Sequence, residues 1–337
     1  MSEQSLEIKR SSASMWGTKT GLRRSETVSK YIDTTTCIGC KACEAACLEW
    51  NDLRTVATHQ EGSYQTLPEL DAQLWNLIRF NEKTTSDGGL MWLMRKDQCM
   101  HCAEPGCLAA CPAPGAIVQY ANGIVDVNPS ACIGCGYCAT GCPFDVPKFH
   151  KQTGKMAKCT LCVDRVEVGL EPACIKACPT GCLQFGTKEE MVQLANTRIA
   201  QLKANGFSEA MLYDPPGVNG TGVVTILGHG HPEWYDLPVD PHVPIGVRLW
   251  KSIVRPIGVI AAFAAVLGFF VHYTRFGPKL PSTGIWLYQI IAPSSSASPD
   301  ARIGLTPTRV TRACAVPAAR TTVTPVTKNV TPASSAE

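Results

Sequence analysis

Two stretches decide the reading of this chain: Cys37-Ile38-Gly39-Cys40-Lys41-Ala42-Cys43-Glu44-Ala45-Ala46-Cys47 and Cys132-Ile133-Gly134-Cys135-Gly136-Tyr137-Cys138-Ala139-Thr140-Gly141-Cys142. Both have the spacing C-x2-C-x2-C-x3-C and both open on Cys-Ile-Gly-Cys, the mark of an internal repeat. Two further sets of four complete the pattern. Cys99, Cys102, Cys107 and Cys111 are spaced C-x2-C-x4-C-x3-C, and Cys159, Cys162, Cys174 and Cys178 are spaced C-x2-C-x11-C-x3-C. Sixteen of the 18 cysteines thus fall in four sets between residues 37 and 178, with Cys182 and Cys314 outside them. Proline follows the last cysteine of three sets (Pro112, Pro143, Pro179), and Leu48 follows that of the first.

Three kinds of chemistry use cysteines in such numbers. Disulfides staple small secreted domains, and cysteines two residues apart make poor local pairs. Structural zinc takes two Cys-x2-Cys knuckles per tetrahedral ion. That leaves unexplained a third cysteine two residues on and a fourth followed by proline. A 4Fe–4S cube needs one thiolate on each of its four irons. A tight Cys-x2-Cys-x2-Cys loop wraps three corners, and the thiolate for the fourth comes from elsewhere. C-x2-C-x2-C-x3-C-P is the bacterial ferredoxin pattern, in which the fourth cysteine of a run ligates the other cluster. The spacing predicts four 4Fe–4S clusters. It leaves two ways of exchanging fourth ligands: first set with fourth and second with third, or first with second and third with fourth.

At 337 residues the chain is long enough for about two domains. Its 45% hydrophobic and 18% charged content excludes both a wholly disordered chain and a polytopic membrane protein. The formal charge of +3 is too small to argue for nucleic acid. Four oxidised clusters of about −2 each would carry it to roughly −5. Lys41, Lys96, Lys148, Lys158 and Lys176 lie near the motifs. They read as surface lysines, with neutralisation of cluster charge as the alternative. No nucleophile–base signature, P-loop or dinucleotide fingerprint is present, so we expect no catalytic residues in this chain.

Residues 1–30 are polar, carry no apolar signal-like stretch and read as an exposed arm that includes Arg23-Arg24-Ser25. Asn122-Gly123 followed by Ile124-Val125-Asp126-Val127 predicts a hairpin turn and its second strand. Residues 187–205 predict an amphipathic helix capped by Thr187 and Glu190, with Met191, Leu194, Ile199 and Leu202 inward and Gly206 at its end. Residues 207–250 are rich in Pro and Gly and read as loop or subunit contact, His229 and His231 included. Residues 253–273, built around PIGVIAAFAAVLGFFV, are long and apolar enough to cross a bilayer. Basic residues flank both ends of this segment, so charge does not orient it. His272 reads as an interfacial residue. Residues 274–337 read as disordered.

The connecting residues narrow the class. CIGCKACEAACLEWND, MRKDQCMHCAEPGCLAACPAPGAIVQYANGIVDV, CIGCGYCATGCPFDVPK and KCTLCVDRVEVGLEPACIKACPTGCLQFGTK, followed by a single late apolar helix, resemble the iron–sulfur (beta) subunit of membrane-bound respiratory formate dehydrogenase over roughly residues 28–278. The resemblance implies an α+β fold of two nested ferredoxin-like two-cluster units followed by one C-terminal transmembrane helix. The expected organisation is an arm at 1–30, a four-cluster domain at 31–186, a helix and contact segment at 187–252, the span at 253–273 and the tail at 274–337. Nesting groups Cys37, Cys40 and Cys43 with Cys178, and Cys159, Cys162 and Cys174 with Cys47. It also groups Cys99, Cys102 and Cys107 with Cys142, and Cys132, Cys135 and Cys138 with Cys111. The implied role is to relay electrons from formate oxidation at a Mo/W-pterin catalytic subunit to a membrane cytochrome b and quinone. The implied place is the inner membrane, with the cluster domain on the periplasmic side. Cys182 departs from the family, which has a small residue there, and reads as a packing thiol. The tail departs too. The rival readings are a four-cluster subunit of a hydrogenase or of a sulfur-compound or nitrate reductase, and a zinc-binding structural protein.

Overall fold

The computed structural model describes residues 6–13, 26–54, 58, 62–85 and 88–277. Arg23-Arg24-Ser25, Cys314 and all of the expected tail beyond residue 277 lie outside the described residues. The chain divides into two units, Met1–His272 and Tyr273–Glu337. In chain order the elements are β1 (Ile8–Ser11), β2 (Val28–Asp33), α1 (Ala42–Trp50), β3 (Asn76–Thr84), β4 (Leu90–Gln98), α2 (Gly106–Ala110), β5 (Ile117–Tyr120) and β6 (Val125–Val127). There follow α3 (Tyr137–Thr140), β7 (Lys148–Phe149), β8 (Met156–Ala157), α4 (Val163–Glu167), α5 (Ala173–Lys176), β9 (Leu183–Thr187), α6 (Lys188–Ala204), β10 (Met211–Tyr213) and β11 (Val223–Leu227). The last helix, α7, runs Ile245–Phe276.

A four-stranded sheet in the order β10-β11-β2-β9 organises the first unit, with β2 parallel to β11 and antiparallel to β9. A strand sends successive side chains to opposite faces. On one face Tyr31, Val224 and Ile226 pack against Met191, Ala195 and Leu202 of α6. On the other, Val28, Ile32, Val223 and Leu183 join the core that contains Cys43, Cys102 and Cys174. Lys30, between Val28 and Ile32, is carried to that second face. Helix α6 begins as its sequence predicts. The Thr187 hydroxyl accepts from the Glu190 N–H at 3.2 Å, and the Glu190 carboxylate accepts from the Thr187 N–H at 2.9 Å.

Two stretches differ from their expected organisation. The Pro/Gly-rich segment supplies β10 and β11, so residues on both sides of the expected 186/187 boundary build one sheet. Val223-Val224-Thr225-Ile226-Leu227 is buried throughout, and a strand buried on both faces shows no alternation to betray it. The arm at 1–30 contributes β1, which pairs antiparallel with β5, and the first residues of β2.

Four short helices carry cysteines. Helix α1 packs on α5, and α2 packs on α3. At the second contact a Cβ on Gly106 would lie within 2.1 Å of the Gly141 carbonyl oxygen, so the approach requires glycine.

The β3–β4 hairpin pairs Asn76 with Gln98 and Ile78 with Lys96. Alternation sends Lys96 and Gln98 to one face and Arg95 and Asp97 to the other. Asp97 accepts from Arg79 Nε at 2.7 Å and from Arg95 Nη1 at 2.9 Å, and Arg95 is 5% exposed. Burial opposes ionisation of Asp97, but the two guanidinium groups outweigh it and hold its carboxyl below the usual range. Asp97→Asn leaves a buried guanidinium without its counter-charge, at a cost of about 3–5 kcal/mol. The expected result is a clear fall in the thermal midpoint of the purified complex, and an unchanged midpoint would refute the pairing as a stabilising element.

In α7 the turns at Trp250–Val254 widen to a π-helix just ahead of Pro256. Proline has no N–H to donate to the carbonyl four residues back, and a widened turn accommodates the loss. Ser252 Oγ donates to the Arg248 carbonyl at 2.6 Å. The helix is longer than the expected 253–273 span, because Ile245–Leu249 continue it on the N-terminal side. Ile257, Phe263, Val266 and Phe269 are exposed around its circumference.

Candidate metal centres

The cysteines meet in four places. Centre 1 is a cavity lined by Cys37, Cys40 and Cys43, from the loop into α1, and by Cys178 just beyond α5. Centre 2 is lined by Cys47 at the far side of α1, Cys159 and Cys162 before α4, and Cys174 on α5. Centre 3 gathers Cys99, Cys102, Cys107 and Cys142, each close enough to act electrostatically on others of the set. Centre 4 is lined by Cys111, Cys132, Cys135 and Cys138. Thus each of the first three cysteines of a set meets the last cysteine of a different set. Helices α1 and α5 serve centres 1 and 2 together, while α2 and α3 serve centres 3 and 4.

One backbone device recurs in all four sets. The residue before the second cysteine lies in the left-handed region: Gly39 (φ 64°), His101 (φ 46°), Gly134 (φ 72°) and Leu161 (φ 56°). This bend turns its N–H onto the sulfur of the first cysteine. Gly134 N donates to Cys132 Sγ and Leu161 N to Cys159 Sγ, each at 3.4 Å. The Gly39 and His101 N–H groups do the same for Cys37 and Cys99. A non-glycine residue in this region is strained, and it persists where its surroundings over-determine it. Nothing in the sequence marks His101 and Leu161 as members of this series. At Gly39 a Cβ would also meet the Phe80 ring at 2.7 Å.

The donors are suited to iron–sulfur cubes. Each set offers four thiols, and at centres 1, 2 and 4 the four line a common cavity. Gln98 lines centre 2, and its Nε2 is buried with no acceptor, so it is free to donate to a cluster sulfur. Asn51 Nδ2 already lies 3.5 Å from Cys47 Sγ.

Burial pushes the thiols of Cys43, Cys47 and Cys138 up to about 12, and those of Cys142 and Cys162 up to about 11. At Cys174 burial is outweighed by Lys30 and Lys96, and its thiol falls below the ordinary value. A metal replaces thiol protons, so filling these centres releases protons.

Cys182 lines centre 1 as a fifth thiol, with its Sγ 3.5 Å from Cys178 Sγ. It also hydrogen-bonds to Cys37, and that bond is the first of the causes that hold the Cys37 thiol below its ordinary value. The reading of the five nearby lysines as surface groups fails for two of them. Lys96 and Lys158 are 4% and 2% exposed, because strand pairing and the close cysteine loops enclose them. Lys148 is paired with Glu69 and Asp145, and Lys176 is exposed. A third buried lysine, Lys30, escapes a reading of the sequence; its one signal is a charge placed centrally in the β-forming run VSKYID. His231 stacks on Trp234 at 4.3 Å and contacts Glu233, consistent with a loop role.

Comparison with known proteins places these centres in context. Family models of a 4Fe–4S dicluster domain match residues 36–116 and 90–188, and a model of the transmembrane segment of formate dehydrogenase N matches residues 243–283. The formate dehydrogenase iron–sulfur subunit of Haemophilus influenzae is 53% identical over 256 residues, covering 75% of this chain and 82% of the relative. The formate dehydrogenase-O iron–sulfur subunit of Escherichia coli is 49% identical over 283 residues, covering 83% and 94%. One subunit of the anaerobic dimethyl sulfoxide reductase of Haemophilus influenzae is 37% identical over 165 residues, covering 48% and 74%.

Proposed function

The chain belongs to the iron–sulfur subunits of formate dehydrogenase and carries four 4Fe–4S clusters, and from that premise we propose that it relays electrons from formate oxidation at a Mo/W-pterin catalytic subunit, along centres 1 to 4, to a membrane cytochrome b and quinone. The ligands we assign are Cys37, Cys40, Cys43 and Cys178 at centre 1, and Cys47, Cys159, Cys162 and Cys174 at centre 2. Centre 3 takes Cys99, Cys102, Cys107 and Cys142, and centre 4 takes Cys111, Cys132, Cys135 and Cys138. This makes two nested ferredoxin-like units, one inserted in the other.

The observation that supports the reading is that each centre borders the next, a line of neighbours from 1 to 4. Lys96 borders both centre 1 and centre 2. Lys158 acts on Cys159 of centre 2 and on Cys99 and Cys107 of centre 3. Helices α2 and α3 join centres 3 and 4. The ends of the line approach solvent, where Cys40 of centre 1 and Cys135 of centre 4 are exposed while the cysteines of centre 2 are buried. Exposed Ile38 and Ile133 stand beside those two cysteines. When bound, the clusters take up and pass on single electrons. The chain's own part is to hold sixteen thiolates at fixed spacing, to exclude water from the middle of the line and to aim N–H donors at sulfur.

The chain is membrane-associated through α7, which has a mean hydropathy of 2.1 over its most apolar window. Its final 22 residues, Arg255–Phe276, are about 33 Å long at 1.5 Å per residue, enough for the ~30 Å hydrocarbon layer. We place it across the inner membrane with the cluster domain on the periplasmic side. The test is EPR on the complex purified anaerobically through a tag on this chain. Reduced-cluster signals are expected on adding formate. Signals with dithionite but not formate, from a complex that retains its catalytic subunit, would overturn the formate donor and leave the relay to another oxidoreductase.

A further inference from the structure

Three lysines are almost wholly buried: Lys30 at 0%, Lys158 at 2% and Lys96 at 4% exposure. None is among the ion pairs that the described residues make with carboxylates within 4 Å. A buried ammonium without a counter-charge is costly. Lys30 and Lys96 are moreover joined. Lys30 Nζ donates to Gln98 Oε1 at 2.8 Å, and Lys96 Nζ donates to the same oxygen at 2.6 Å. Lys30 Nζ also reaches Cys174 Sγ at 3.2 Å. Alternation puts Lys96 and Gln98 on one face of β4, and the packing of that hairpin against the sheet that holds β2 brings Lys30 to them. Two like charges on one neutral oxygen repel each other, so anions beside both must hold them there. Lys96 lines centres 1 and 2, and Lys30 lines centre 2 only.

We propose that Lys96, Gln98 and Lys30 form one buried cationic element shared by centres 1 and 2, with Lys96 the positioning residue that raises the reduction potential of both clusters. The proposal rests on the ligand sets assigned above. Each cluster gains one electron on reduction and its negative charge grows by one, which fixed positive charge favours. Lys96 lies between the two centres, so it also weakens the repulsion that reduction of one imposes on the other. Centre 4 has no buried lysine in its lining.

The experiment is an EPR-monitored redox titration of the whole complex, with iron and sulfide counted first. Lys96→Met, with iron equal to wild type, is expected to disfavour reduction of two of the four clusters roughly tenfold, a downward shift of about 59 mV for a one-electron couple. The other two are expected to hold their potentials. Lys96→Arg keeps the charge and is expected to restore wild-type behaviour. Where Lys96→Met loses iron, Lys30→Met takes its place, with a shift expected in one cluster alone. No shift, an equal shift in all four, a shift as large in Lys96→Arg, or iron loss in both Met variants overturns the proposal. Cys47→Ser separates that failure from failure of the ligand sets. It alters one of the two lysine-sensitive clusters if centre 2 is correctly assembled, and an altered lysine-insensitive cluster would instead indict the assignment of Cys47.

Discussion

Cys174→Ser is expected to remove or convert one of the four clusters and to cut formate-driven quinone reduction at least about tenfold. Changes to groups that merely support a metal ligand already cost ~10–100-fold, so the loss of a ligand sets a lower bound of that size. Cys174 is buried within the second of four centres, so electrons have no exposed route around it. Its thiol is the one beside which Lys30 is placed, at 3.2 Å. Serine keeps the size but offers an oxygen of much higher pKa and poorer softness for iron. Iron analysis and EPR read the cluster count, and a quinone-analogue assay reads the flow. Cys182→Ser is the internal control, because Cys182 is not among the sixteen assigned ligands, and four clusters are expected to remain. Unchanged iron and unchanged flow in Cys174→Ser would remove that residue from the ligand set.

The second large effect is on the membrane helix. Phe263 and Leu267 are exposed on α7, one turn apart near its middle. An arginine at the centre of a spanning helix costs about 2.5–3.5 kcal/mol by insertion measurements. Phe263→Arg with Leu267→Arg therefore costs roughly 5–7 kcal/mol, or on the order of 10^4 in partition at 1.4 kcal/mol per tenfold. The expected outcome is a chain that leaves the membrane fraction on an alkaline carbonate wash while keeping its four clusters. The wash strips proteins held only by partners, so a double variant that stays in the pellet would show that α7 is not the anchor.

Some of this architecture can be read directly along the chain. Thr187 and Glu190 announce α6 because a capping box needs only residues three apart. The apolar run after Arg255 announces its helix because span length is a local count. The cluster type and number follow likewise, since at three of the four centres three ligands of a cube come from one short loop and at the fourth the Cys-x2-Cys start and Cys-x3-Cys-Pro end repeat the pattern. Other elements are silent for equally definite reasons. The strand at 223–227 is buried on both faces and so lacks alternation, amid prolines and glycines that suggest loop. His101 and Leu161 sit in left-handed turns that leucine avoids and histidine adopts only in a minority of cases, because the cysteine loop dictates the bend.

By itself, then, the order of residues determined four sets of four thiols, their iron–sulfur chemistry, the family and a single apolar span, all properties of residues within a few turns of each other. Only the tertiary structure decided which thiols share a cavity. Cys43 meets Cys178 because α1 packs on α5, a contact that no local spacing encodes. It also decided that Cys182 stands as a fifth thiol at centre 1, and that Lys30, Lys96 and Lys158 lie inside the protein. Lysine belongs at the surface unless an opposite charge compensates it. Which face of a strand a lysine occupies, and what that face covers, depends on pairing between strands far apart in the chain. In this protein that face covers the cysteines.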